Sequence, residues 1–223
     1  MSDAPTNLPP RATLTSDYQR DWPAYFDAVK GQPPRATCVL ALDAFDREGA
    51  GAGVAIDLAC GEGRDTRAMV ARGWQVVAVD SSAEGLARLR GLISEQDRAR
   101  VREVCVRMED APSRVAAMGV DRVDFVNASF ALPFCEPGAF PALWQWIEDV
   151  IRPGGRFAGQ LFGDRDEWRD VRPASHHTRA HAMELLRGYE VEHFEEVEKD
   201  GSDAMGGVKH HHLYHIVGRR RGA

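Results

Sequence analysis

The chain has 223 residues, with 28 Lys+Arg against 34 Asp+Glu and a formal net charge of −6. That length bounds it to one domain with an appendage, and 43% hydrophobic and 28% charged residues are the composition of a globular chain that buries a core without disulfides or structural metal. The negative balance argues against a nucleic-acid partner, whose affinity comes mainly from phosphate neutralisation, and no run approaches 18 apolar residues, so no membrane span or membrane partner is expected.

Residues 1–16 are rich in Pro, Thr and Ser and read as a flexible leader. They lack the basic and apolar segments of a signal peptide, and the four cysteines (Cys38, Cys60, Cys105, Cys135) are widely spaced, so reduced thiols and a cytoplasmic location are expected. Residues 17–48 form an N-terminal helical cap, split in two by Pro33-Pro34. Glycines at 49, 51 and 53 then break the chain, and residues 49–223 form the main domain.

In that domain short apolar runs alternate with amphipathic segments. Strands are predicted over 54–59, 75–79, 102–107, 123–128 and 156–162, and helices over 64–72, 83–95, 112–118, 138–151 and 178–187. Arg152-Pro153-Gly154-Gly155 stops the helix that precedes the fifth strand. Alternation of this kind implies a parallel sheet covered on both faces. Residues 189–198 and 208–217 read as two long strands with no helix between them, hence an antiparallel hairpin at one edge.

The first strand runs through Asp57-Leu58-Ala59-Cys60-Gly61-Glu62-Gly63 into a helix. Glycines serve where φ is positive or a ligand approaches the backbone, and a helix N-terminus favours an anionic group. The dinucleotide pattern G-x-G-x-x-G is not met, since residue 65 is Asp65, which disfavours a nicotinamide-dependent oxidoreductase. Asp80 ends the second strand, 19 residues after Gly61, where an acid can bind both hydroxyls of a ribose. Taken singly, the glycines are also a tight turn and Asp80 a helix cap; together, at this spacing, they point to a nucleoside site.

The segment from Asp57 to Gly63 resembles the first motif of class I S-adenosylmethionine-dependent methyltransferases, acid-x-G-x-G-x-G, with Ala59 at the first glycine, where a small residue suffices. Within that superfamily the chain is most similar to the small tellurite-resistance-type enzymes, through Gly61 to Thr66, Arg152 to Gly155 and the closing hairpin. The resemblance implies an α/β fold, a Rossmann-like three-layer sandwich whose seven-stranded, mostly parallel sheet has an antiparallel last strand. It implies S-adenosyl-L-methionine as cofactor, its methionine moiety over Asp57, Ala59, Gly61 and Gly63, and its ammonium group at Asp57. Its ribose would lie at Asp80 and Ser81, and its adenine between Met108 and Glu109. Asn127 and Phe130, at the end of the fourth strand, would face the sulfonium. Alternatives stay open at Glu109, which also reads as a solvated turn residue. Ala128-Ser129 lacks the prolines with which amino-methyltransferases grip a flipped base, and Cys135 does not follow a proline as the cytosine enzymes require, which again disfavours nucleic acid.

Methyl displacement from a sulfonium needs alignment and desolvation more than a catalytic triad. On the acceptor side, Arg165 to His181 holds seven potential cations against three acids. This segment and the Trp22/Tyr25 segment are expected to close over a small anionic molecule, an oxyanion or chalcogen species among the candidates. Trp22, Tyr25 and Arg165 would contact it, and His176, His177 and Arg179 would form the catalytic set; a merely solvated loop is the competing reading. His210 and His212 share one strand face and His211 and His215 the other, and no metal site is expected. The leading reading is a small-molecule methyltransferase, monomeric or homodimeric; the alternative is a catalytically silent cofactor- or nucleotide-binding regulator.

Overall fold

The computed structural model of the protein describes residues 21–170 and 174–222. The leader over 1–16 and Arg172 lie outside the described residues.

The chain enters through α1 (Trp22–Val29) and α2 (Ala36–Glu48), then builds β1 (Val54–Leu58), α3 (Arg64–Ala71), β2 (Gln75–Asp80), α4 (Ala83–Leu92), α5 (Glu95–Arg98) and β3 (Val101–Cys105). It continues with α6 (Ala111–Ala117), β4 (Val123–Ala128), α7 (Phe140–Val150), β5 (Ile151–Gly163), β6 (His176–His177), α8 (Arg179–Leu185), β7 (Tyr189–Ser202) and β8 (Val208–Arg220). The main path of the sheet is β3-β2-β1-β4-β5-β8-β7. Along it β8 is antiparallel to both β5 and β7, and the earlier strands pair in parallel. The seven strands and the edge hairpin are thus those read from the sequence. The eighth strand, β6, is a two-residue addition that pairs parallel with the end of β5.

β1, β2 and β4 are continuous apolar runs because helices cover both their faces. Ile56, Val77, Val126 and Phe157 point into a core shared with Val115 of α6, Ile147 of α7 and Ala182 of α8. On the other face Ala55, Val76 and Phe125 pack with Leu42 and Phe45 of α2 and Met69 of α3, while Ala78 meets Leu86 and Leu89 of α4. The layers are therefore helix, sheet, helix, and α2 belongs to one of them. α4 stops at Leu92, three residues early, because Ser94 turns to cap α5, its Oγ accepting from the Asp97 N–H. Ile93 stays buried in extended backbone. β5 begins directly at Ile151, and the Pro-Gly-Gly segment makes a bulge in its pairing with β4. Gly155 has no room for a side chain there, since a Cβ would lie 2.5 Å from the Asp124 carbonyl oxygen.

From β1 the chain moves outward to β2 and β3, then returns to the other side of β1 for β4. The carboxyl ends of β1 and β4 therefore flank the point where strand order reverses, where ligands of open α/β sheets bind.

Candidate active site

The turn after β1 departs from ordinary backbone at three positions: Ala59 has φ 52°, Gly61 57° and Gly63 79°. Ala59 is more than small; it is left-handed, a conformation costing an alanine about 1 kcal/mol. Gly63 gives the N-cap of α3, and a Cβ there would sit 1.9 Å from Cδ1 of Leu89. At Gly61 a Cβ would meet Phe26 of α1 at 3.1 Å, so α1 lies across the turn. Asp80 fixes the turn from the neighbouring strand: Oδ2 accepts from Gly61 N–H and Oδ1 from Ser82 N–H, both at 2.7 Å. Burial raises its pKa against these two hydrogen bonds. The helix cap is Ser82 itself, whose Oγ accepts from Gly85 N–H.

Beneath the turn, Asp57 is buried and accepts from Thr66 Oγ1 at 2.5 Å and Asn127 Nδ2 at 2.8 Å. The same amide donates to Asp65 at 3.1 Å, and Asp65 also accepts from the Arg35 N–H. Burial, reinforced by the Asp65 charge, pushes Asp57 up to about 7 despite its hydrogen bonds. Arg35 and Arg64 line the same small cleft as these two carboxylates, together with Glu62 and Ser129. Burial and the nearby Arg35 charge lower the pKa of Arg64. Neither arginine was singled out by its motif; the signal was the pair of acids at 57 and 65, which need cations near them.

The main cavity, about 650 Å³, opens beside this cleft. Ala59, Gly61, Asp80, Ser81, Met108 and Glu109 line one side of it, as the sequence reading groups them. Glu109 is partly buried, which alone would raise its pKa; the Glu136 N–H and Arg107 lower it instead. The other side is aromatic: Trp22, Tyr25, Phe130, Phe134, Phe162 and Trp168. Phe130 holds φ 51°, unusual for a large side chain, with its N–H given to Gln160 Oε1 at 2.7 Å and its ring under the Arg35 guanidinium. The β7–β8 hairpin supplies the remaining wall, with Lys199 to Ala204 at its tip and Lys209, His211 and Leu213 along one face of β8.

Three sequence expectations are corrected by this geometry. Asn127 does not reach the cavity; it is fully buried and braces the two aspartates. Arg165 lies on the outer side of the hairpin, where it pairs with Glu196 and Glu198. The set His176, His177 and Arg179 is not on the cavity wall either. The histidine backbones form β6, with the His176 ring against Phe162 and the buried His177 ring against Phe140, and Arg179 pairs with Glu196. Burial, with His181 and His176 nearby, pushes His177 down to about 4. Charge counting located the segment but could not tell which way its side chains point. What it missed is Trp168, within that segment, and Lys209 and His211, whose period-2 spacing on β8 was the available signal. Among the described residues no group of three or more His, Cys, Asp or Glu is arranged to hold a metal. Nor is any helix long and apolar enough to cross a membrane.

Residues 55–155 match the family described as methyltransferase domain. No curated protein matches the sequence. Among solved structures, the fold is similar to the 1,6-didemethyltoxoflavin-N1-methyltransferase of Burkholderia thailandensis, crystallised with 1,6-didemethyltoxoflavin and S-adenosylhomocysteine. The TM-score is 0.62 at 22% identity, over 90% of this chain and 85% of that one. TehB from Haemophilus influenzae gives 0.67 at 15% identity, over 89% and 67%. An S-adenosylmethionine-dependent methyltransferase from Mesorhizobium loti gives 0.59 at 20%, over 83% and 98%. Residues 55–155 thus match a methyltransferase domain, and the chain has the fold seen in S-adenosylmethionine-dependent methyltransferases.

Proposed function

We propose that the protein methylates a small, flat molecule held in the aromatic half of the main cavity. The observation that carries this is that a single cavity is lined both by Gly61 and Asp80 and by the aromatic side chains. The cradle fits the cofactor. Asp80 still has lone pairs beyond those engaged by Gly61 and Ser82, with which it could accept from ribose hydroxyls. Asp57 with Arg35 and Arg64 offers opposite charges to the ammonium and carboxylate of an amino-acid tail. Met108 and Glu109 line the same cavity as Asp80 and are the residues that would pack on and read the adenine. Bound there, S-adenosylmethionine would supply an electrophilic methyl group to the lone pair of an acceptor.

The chain's own part is to align the acceptor, exclude water and leave a route for its proton. Trp22 and Tyr25 of α1 line the cavity, where the Trp22 ring packs edge-on against Phe134 and Phe134 meets Trp168. His211 is the one histidine among the described residues on the cavity wall. Burial and Lys209 lower its pKa, and with Nε2 beside the Gly201 carbonyl oxygen, Nδ1 is the basic nitrogen of the neutral ring. It is the candidate proton acceptor in place of His176 and His177. The cations of the wall (Arg35, Arg107, Lys199, Lys209) are matched by its acids (Asp80, Glu109, Asp200, Asp203), so the cavity suits a neutral or weakly acidic acceptor better than the strongly anionic one suggested by charge counting. The cytoplasm is the expected site of action.

Calorimetry tests the cofactor half. S-adenosylhomocysteine should bind, NAD should not, and Asp80→Asn should raise the S-adenosylhomocysteine Kd at least tenfold, about 1.4 kcal/mol, by removing a charged acceptor. Unchanged affinity in the variant would displace the cofactor from this cradle. Labelled methyl transfer to a panel of small heteroaromatic acceptors then separates an enzyme from a silent binder.

A further inference from the structure

Arg35 lines both the main cavity and the small cleft, whereas Arg64 lines the cleft alone. Its guanidinium lies on the cavity side: Cζ is 4.4 Å from the centroid of Phe130, a ring that lines the cavity and not the cleft. Both partners are fixed. The Arg35 N–H donates to Asp65 Oδ1 at 2.8 Å. Gln160 ties the left-handed Phe130 to α2, accepting from the Phe130 N–H and donating to Thr37 Oγ1 at 2.9 Å. Among the described residues the Arg35 guanidinium makes no hydrogen bond and no ion pair. The other cations of the wall differ: Lys209 is engaged by Asp166, Arg107 by Glu109, and Lys199 is exposed at the hairpin tip. The charged and titratable groups around Arg35 are Arg64 and Asp65 of α3 and His215 of β8, and both carboxylate oxygens of Asp65 are already engaged. A guanidinium held against an aromatic face keeps its N–H edge for an anionic oxygen.

Resting on the methyltransferase reading, we propose that Arg35 is a specificity-determining residue that selects a flat aromatic acceptor with a weakly acidic hydroxyl and binds it as the conjugate base, guanidinium edge to oxygen. Arg64, in the cleft, is left to the carboxylate of the cofactor. The hydroxyl proton passes to solvent, and the positive charge beside the oxygen makes that ionisation easier than in water. The aromatic side chains of the wall take the ring. An aromatic ether of the same shape cannot ionise and loses the charged contact.

The probe is 4-nitrophenol, whose phenolate absorbs in the visible and whose phenol does not, with 4-nitroanisole as the control that cannot ionise. The full chain is titrated with each, with and without saturating S-adenosylhomocysteine, at a pH one unit below the pKa of free 4-nitrophenol. Bound to wild type, 4-nitrophenol should show the phenolate band, its pKa lowered by at least one unit, a tenfold shift in ionisation. By calorimetry 4-nitroanisole should bind at least tenfold more weakly. Arg35→Met should abolish the band, and Arg35→Lys, which keeps the charge, should retain part of it. Folding of each variant is followed by thermal unfolding. A purely structural Arg35 would lower the melting temperature and leave the pKa of the bound probe unchanged. Binding of 4-nitrophenol as the neutral phenol, no binding to wild type, or survival of the band in folded Arg35→Met overturns the proposal. Failure of wild type to bind S-adenosylhomocysteine would instead overturn the cofactor reading on which it rests.

Discussion

Asn127 holds two carboxylates, Asp57 and Asp65, with one amide, and this arrangement has a cost that pH reveals. Burial and the Asp65 charge push Asp57 up to about 7, while Thr66 and Asn127 pull it back and the Asp80 charge adds a smaller upward push. In the unfolded chain a carboxyl titrates near pH 4. The folded state thus holds the proton more tightly. Its contribution to stability is fully present below about pH 4 and is lost as pH rises through 7. Between pH 5 and 8 the ligand-free protein should lose about 2–3 kcal/mol from this group, at about 1.4 kcal/mol per pKa unit. Asp57→Asn mimics the protonated form and should flatten that slope. Urea unfolding at the two pH values measures it, and an equal slope in both proteins would show that Asp57 does not carry the proton.

At the level of elements, the glycine turn works because α4 packs into it. Leu89 fills the space that a side chain at 63 would need, and Gly63 also holds a left-handed backbone. Gly63→Ala should therefore destabilise the fold by about 2–4 kcal/mol, from backbone strain and overpacking together. Leu89→Ala in the same chain should recover part of the overpacking share, so the double-mutant cycle should show a coupling of about 0.5–2 kcal/mol; strict additivity would separate the helix from the turn. This part of the site was legible from the sequence, since strand, turn, helix and the acid 19 residues on are all local or nearly so. Ala59 was legible only as a departure; its left-handed backbone was not. The acceptor wall was less legible because topology builds it. β8 comes beside β5 from more than 40 residues away, and that pairing brings Lys209 and His211 to the cavity that Trp22 and Tyr25 also line. The alternation along 210–215 was readable, and His210 and His212 do face away from His211, toward Asp200 and Glu196. Which face was inward was not, because the hairpin carries charge on both. The histidines at 176 and 177 misled for a related reason: a two-residue strand leaves no periodic signal, and burial of His177 removes it from solvent and from the cavity alike.

Across the whole molecule, the site joins parts of the chain that otherwise touch sparingly. α1 rests on the turn through Phe26 and on α4 through the Arg88–Asp27 pair at 2.6 Å. That ion pair is exposed and contributes less than about 1 kcal/mol, so α1 is held mainly by buried Phe26, which packs on both the turn at Gly61 and α4 at Gly85. The hairpin tip closes the cavity from the far edge of the sheet. A ligand bound in the proposed cradle would touch α1, the turn after β1, the end of β2 and the turn after β3 at once. At a concentration of 100 times Kd it stabilises the folded state by about 2.7 kcal/mol, which for a chain of this size raises the melting temperature by roughly 5–10 °C. S-adenosylhomocysteine should give that shift and NAD should give none. Hydrogen exchange should slow in Trp22–Val29 and in the turn over 59–63 together, because Phe26 couples them, while β3 at the other edge changes less. Slowed exchange in the turn with α1 unaffected would mean that the helix is not part of the binding site. A shift with NAD and none with S-adenosylhomocysteine would return the fold to nicotinamide chemistry despite the missing third glycine.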